Sequence, residues 1–279
     1  MSDKLKYQEF CAETYVPIYS QPWWMDAVCG EENWDVWLYC RGDSVLAAMP
    51  YYMEKRGDYK YITKAPLTQN NGIIFREDDT RKNVNQAKFE EEVIDAACEF
   101  IDSLKLDVYE QQYQTSFRNW SPFLWHNYSC MLRYTYIIEN TSDMDQVEAG
   151  FTQDLKRNIK KGHKNTSITD KIDHKEFYRL HELVFTKQGL RCPFSEELWE
   201  RVYFGAKQNN AGEIFCAIDQ DGNAHALLFL VWDERCVYHL LGGSIPEYTT
   251  SQAYAAITYH GIKTAHEMGR KYDFEGSMI

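Results

Sequence analysis

Two carboxylates near the end of the chain, Asp273 and Glu275, sit in the short β-type run Lys271-Tyr-Asp-Phe-Glu-Gly276. Alternate residues of a strand share a face. The pair can therefore stand together at a strand tip, where a carboxylate can take the proton of an attacking amine. The same spacing also suits two solvated side chains, or an ion pair with Arg270 or Lys271. His239 and Tyr238, inside Cys236-Val-Tyr-His-Leu-Leu241, are the alternative acid–base groups. A histidine within a strand is more often a hydrogen-bonded core residue than a base.

A second cluster is cationic. Lys156, Arg157, Lys160 and Lys161 fall in the last turns of an amphipathic stretch, with His163 and Lys164 beyond. Cations near a helix C-terminus complement the helix dipole by about 0.3–1 kcal/mol each. Lys156 with Lys160, and Arg157 with Lys161, are nevertheless like charges four apart, and these repel. In a chain of net charge −12, such a grouping points to an anionic partner. The phosphates of a nucleotide, of coenzyme A or of a tRNA acceptor end would all fit.

These groups need elements to hold them. Residues 213–218 read as a strand, Asp221-Gly222 as a hairpin turn, and 224–232 as a strand buried on both faces. Asp233-Glu-Arg235 turns the chain into a strand over 236–241, which runs into Gly242-Gly243. Thr250 or Ser251 can cap a helix with Tyr254, Ile257, Ile262, Ala265 and Met268 on its apolar face. Gly269 ends it, and 271–276 forms a last strand. Three antiparallel strands, a helix and a returning parallel strand make a sheet expected to part near Gly242-Gly243. Such a split admits a thin, extended ligand.

Further upstream, Ser142 and Asp145 are expected to open one helix reaching Lys161, with Gly162 as its stop. Asp173 and Ser195 cap two more. In the first half, Ser20 is expected to cap a helix through Val28, with Pro22 in its first turn and Gly30 closing it. Strands are predicted over 34–41, 44–54 and 59–63, with Pro50 marking an edge or a bulge. Residues 83–104 show helical spacing, with Phe89, Val93, Ala96, Phe100 and Leu104 on one face. Strands at 108–112 and 131–138 follow. The half 20–139 thus repeats the pattern of 143–279, although not its sequence.

Several words of the chain resemble a known family. They are Leu240-Leu-Gly-Gly-Ser-Ile-Pro246, Tyr272-Asp-Phe-Glu-Gly-Ser-Met278, Tyr19-Ser-Gln-Pro-Trp-Trp24 and Asp154-Leu-Lys-Arg-Asn-Ile-Lys-Lys161. Together they are similar to the Fem-type (FemAB-like), BioF-like acetyltransferase branch of the GCN5-related N-acyltransferase (GNAT) superfamily. The resemblance implies an α+β fold of two tandem GNAT-like mixed-sheet subdomains, 1–140 and 141–279. It also implies transfer of an acetyl or aminoacyl group from acyl-CoA or aminoacyl-tRNA to an amine acceptor; Fem-type relatives use the latter donor to build peptidoglycan cross-bridges. It favours the catalytic reading of Asp273 and Glu275. To Lys156, Arg157 and Lys160 it adds Gly242, Gly243, Trp23 and Gln69 as donor- or substrate-binding candidates.

Two departures stand out. GNAT acetyltransferases carry a Gln/Arg-x-x-Gly-x-Gly/Ala loop, whose backbone N–H groups cradle a pyrophosphate. This chain instead has Gly243-Ser-Ile-Pro-Glu-Tyr-Thr-Thr-Ser-Gln-Ala253, in which Glu247 adds negative charge. Relatives also continue beyond the final Phe-Glu-Gly-Ser word, so the second sheet is expected to be incomplete or to have its edge covered. The competing reading is a GNAT-fold ligand-binding module without transfer chemistry.

Composition sets wider bounds. The 279 residues are 44% hydrophobic and 26% charged, ordinary for a globular chain of one or two domains. The acidic balance argues against general adhesion to nucleic acid or anionic membrane, leaving a tRNA end as the nucleic-acid partner to consider. The eight cysteines form no Cys-x-x-Cys pair and read as reduced core residues, with no zinc site expected. No signal-like or membrane-length apolar stretch is apparent. A cytoplasmic protein is expected, with a homodimer among its assemblies. P-loop, dinucleotide-binding and metal-enzyme motifs are lacking.

Overall fold

The computed structural model describes residues 2–78, 82–186 and 189–275. The chain divides into two compact units, Met1–Leu132 and Arg133–Ile279, each built on a mixed sheet.

The first unit opens with α1 (Asp3–Glu13) and α2 (Pro22–Cys29). Pro22 occupies the first turn of α2 as expected, and Gly30 closes it at φ +83°. Ser20 is not the cap: it lies buried in a preceding 3-10 turn, and its hydroxyl donates to Asn71 at 3.0 Å. Strands β1 (Trp34–Arg41), β2 (Ser44–Arg56), β3 (Tyr59–Ile62) and β4 (Ile74–Phe75) follow. Pro50 is in central strand β2, not at an edge. It pairs across from Val36 of β1, and on its other flank falls between the residues bonded to β4 (47–48) and to β3 (53–56). The proline's missing N–H therefore interrupts no ladder.

Helix α3 (Asn83–Ser103) buries Phe89, Val93, Ile94, Ala97, Cys98 and Ile101 against Ala47 and Met49 of β2. Its core face is thus turned toward Ala97 and Ile101, away from the expected Ala96, which stays half-buried. Strand β5 (Val108–Tyr109) is shorter than predicted and pairs with β3 in parallel. The short helix α4 (Ser121–Trp125) completes the unit.

The second unit holds β6 (Ile137–Ile138), α5 (Met144–Ala149), α6 (Gln153–Asn165), β7 (Ser167–Thr169), α7 (His174–Thr186) and α8 (Glu196–Gln208). Then come β8 (Gly212–Ile218), β9 (Ala224–Trp232), β10 (Cys236–Ser244), α9 (Ala253–Glu267) and β11 (Lys271–Asp273). Strand order is β6-β11-β10-β9-β8-β7, with only β10 and β11 parallel. The outer edge of β11 is taken by β6. This is the α+β architecture expected, with two mixed sheets.

The expected helix over 142–161 is two helices. Asp143, not Ser142, caps α5 by accepting from the Gln146 N–H. Thr152 then caps α6 by accepting from the Leu155 N–H. A second cap outcompetes continuation because it satisfies N–H groups that a new first turn leaves unpaired. Gly162 does not stop α6 but lies inside it, at the crossing with α9. A β-carbon there would fall 2.4 Å from the Gln252 carbonyl oxygen and 2.7 Å from the Ala256 methyl. Only glycine permits so close an approach of two helices. Among the described residues no helix is long and apolar enough to cross a membrane.

Candidate active site

The two parallel strands part. β10 and β11 pair over three rungs, Cys236 with Lys271, Val237 with Tyr272 and Tyr238 with Asp273. From there β10 runs on to Ser244, paired among the described residues with β9 alone, with a register shift between His239 and Leu241. The other chain turns toward β6: the Phe274 N–H donates to the Tyr136 carbonyl at 3.0 Å. The opening starts beside His239, three residues before Gly242. Gly242-Gly243 are therefore strand residues lining the wedge, not the break itself.

At the wedge's acidic side, Asp273 is 6% exposed. One of its oxygens accepts from the Thr135 hydroxyl and, at 2.8 Å, from the Glu275 N–H. Burial raises its pKa, partly opposed by those two donors. Glu275, half-buried, has φ +59°, a left-handed conformation uncommon outside glycine. The Asp273 carboxylate holds that turn and so positions Glu275 at the tip. Gly276 and the rest of the Phe-Glu-Gly-Ser word lie outside the described residues.

The other candidates separate by role. Tyr238 donates its hydroxyl to Asp233 at 2.9 Å, in the turn at the far end of β10 from the wedge. His239, 8% exposed, is held at both ring nitrogens, Nδ1 by the Tyr272 hydroxyl at 2.8 Å and Nε2 by Tyr254 at 2.9 Å. Burial pushes its pKa down to about 4, so the ring is neutral and already engaged. The Gly242 α-carbon leaves room for it, because a β-carbon there would sit 2.6 Å from Nε2. A side chain at Gly243 would instead meet Val184 of α7 at 2.9 Å.

Of the cations, Arg157 is bound to Asp154 at 2.9 Å, whereas among the described residues Lys156, Lys160 and Lys161 have no ion pair. Gly162 against Gln252, and the Asn165 amide donating to the Ser251 carbonyl at 3.1 Å, bring the C-terminal end of α6 to the first turn of α9. Gly162 faces α9, so at 3.6 residues per turn exposed Lys161 stands to one side of that contact, whereas Lys160 and Lys164 lie on the opposite, exposed face of α6. No glycine loop cradles this end; Gln252 takes the left-handed conformation at φ +63°.

Past the end of β10 an open cleft of about 470 Å³ is lined by Leu183, Thr186, Pro246 and Glu247. Among its described liners the one charged group is the Glu247 carboxylate. In the first unit, Trp23 packs edge-on against buried Trp24, and Gln69 accepts from Lys64 at 2.9 Å. The sequence reading missed Tyr254 and Tyr272, which had looked like ordinary apolar-face and strand residues. The one available signal was a pair of hydroxyl-bearing rings flanking a strand histidine. Among the described residues no cluster of acidic, histidine or cysteine side chains could hold a metal.

Residues 149–277 match the acetyltransferase (GNAT) domain family. No curated protein sequence matches the chain. Among solved structures the fold is similar to FemX, at 13% identity and TM-score 0.68, over 99% of this chain and 88% of that one. L-PGS from Bacillus licheniformis follows at 12% and 0.54, over 100% and 77%. A conserved protein of Bacteroides thetaiotaomicron gives 11% and 0.52, over 90% and 81%. The second unit thus matches an acetyltransferase (GNAT) domain over 149–277, and the fold of the chain is similar to that of FemX.

Proposed function

We propose that the second unit transfers an acyl group from an activated, phosphate-bearing donor to an amine. The observation that carries this reading is the length by which β10 outruns β11, residues 239–244. A strand edge without a partner offers N–H and C=O groups in register for an extended amide-bearing arm. Such an arm, with phosphates toward Lys161 and the first turn of α9, would bring its acyl carbonyl to the wedge apex beside Glu275. Acyl-CoA fits the edge and the cation. The absence of a glycine cradle leaves aminoacyl-tRNA as an equal donor.

The acceptor amine is drawn into the cleft by Glu247. It loses its proton to Glu275 as its nitrogen attacks. Trp23 and Gln69 remain proposed binding residues, as does a division of the chain near residue 140 into two GNAT-like subdomains.

The test is transfer to a panel of amines from acetyl-CoA or aminoacyl-tRNA, with thermal shift alongside. Glu275→Gln should lower turnover by about 10²-fold or more without lowering Tm. Unchanged turnover removes Glu275 from the mechanism. A chain stabilised by a donor that never transfers would instead be the binding module that the missing glycine cradle favours.

A further inference from the structure

The hydrogen-bond chain beside the wedge has a direction. Tyr272 is fully buried, and its hydroxyl has a single partner among the described residues, His239 Nδ1. Were that nitrogen to donate instead, the Tyr272 hydroxyl hydrogen would be left in the core with no acceptor, an arrangement that folded proteins avoid. Tyr272 therefore donates to Nδ1. A neutral imidazole then carries its proton on Nε2, and Nε2 donates to the Tyr254 oxygen. Tyr254 accepts within the protein, so its own proton is directed outward. The residue is half-buried in the first turn of α9, and its ring lies over Gly242, where a β-carbon would be 3.2 Å away.

We propose that the Tyr254 hydroxyl donates a hydrogen bond to the acyl carbonyl oxygen in the wedge, with His239 and Tyr272 as the residues that position it. This rests on the acyl-transfer reading and adds the group that receives the developing charge. The amine nitrogen bonds to the carbonyl carbon, and the carbonyl oxygen takes the displaced electron pair and the hydrogen bond from Tyr254. On collapse the carbonyl re-forms and the bond to the donor's leaving atom breaks, the pair going to that atom. The amine proton goes to Glu275, and Tyr254 keeps its own. A donor that itself accepts a hydrogen bond is polarised toward giving a stronger one. Preorganised donors of this kind act where charge appears in the transition state.

The experiment has two parts on the full chain. Imidazole 15N resonances should show His239 protonated at Nε2 and bare at Nδ1, with that preference lost in Tyr272→Phe; the opposite tautomer in the unaltered protein overturns the proposal. With acetyl-CoA and aminoacyl-tRNA as donors to glycinamide, lysine amide and glucosamine, Tyr254→Phe should lower kcat by about 10²-fold and leave KM within about threefold. Tyr272→Phe should lower kcat by roughly tenfold, again with little change in KM. Full kcat in Tyr254→Phe overturns the proposal and leaves acyl transfer standing. An unaltered protein inert with both donors removes the acyl-transfer reading and this proposal with it.

Discussion

Each unit contains a pair of parallel strands separated in sequence by a helix, and the two pairs end differently. In the first unit β3 stops at Ile62, level with the last rung it shares with β5, Ile62 with Tyr109. The chain then swings back, and the Asn71 N–H donates to the Gln112 carbonyl at 2.6 Å. The space enclosed there is about 10 Å³, room for about one water molecule. In the second unit β10 continues beyond its last shared rung, and nothing described returns to close the gap. Topology alone therefore does not make a site. A wedge needs one strand to outrun its neighbour and small residues to keep the exposed stretch clear.

Glycine substitutions test that contrast most severely. Gly242→Val would drive a side chain into His239, and transfer should fall by more than about 10²-fold, with a lowered Tm. Gly72→Ala is the counterpart in the first unit. Gly72 has φ +126°, and a β-carbon would sit 2.5 Å from the Tyr113 ring. Stability should drop by about 1–3 kcal/mol, read by urea unfolding, while molecules that remain folded turn over at the original rate. Loss of turnover there would mean that the first unit shares in the chemistry.

Gly162→Ala sharpens the picture from the other direction, because the new methyl meets backbone where α6 crosses α9. It should cost about 2–3 kcal/mol and weaken donor binding together with stability. Acid should also separate the units. Burial holds His181 and His239 at about 4, below the ordinary 6.5. Folding favours their neutral forms, so the stability they contribute is complete above about 6.5 and is lost as pH falls toward 4. Unfolding followed at pH 7, 5.5 and 4.5 should show the second unit failing first, and His181→Phe should flatten its pH dependence. The smallest effect is expected from Lys161→Gln. Coenzyme A affinity should fall about three- to tenfold at low ionic strength, the difference shrinking at about 0.5 M salt, with Tm unchanged.

Much of the architecture was legible because local chemistry agrees with it. The run 224–232 is apolar on both faces and becomes β9, buried over most of its length. Ser195 caps α8 as its position before Glu196-Glu197 suggests. The resemblance drawn from the Gly-Gly and Phe-Glu-Gly-Ser words agrees with the GNAT match over 149–277. Errors arose where a residue's meaning depends on a distant partner. Gly162 reads as a helix stop until α9 is seen against it, and Pro50 reads as an edge marker until the gap beside β2 appears.

By itself the sequence determined the succession of strands and helices, the sign of the charge on α6 and the acidic strand tip, since periodicity, capping and charge act between near neighbours. Only the tertiary structure decided that β10 and β11 part at Tyr238 and Asp273, four residues before Gly242. It alone joined Tyr272, His239 and Tyr254 in one directed chain. The reason is that strand registry and hydrogen-bond direction depend on which buried donors find acceptors. In this protein those partners lie up to 33 residues apart, beyond the reach of any local pattern.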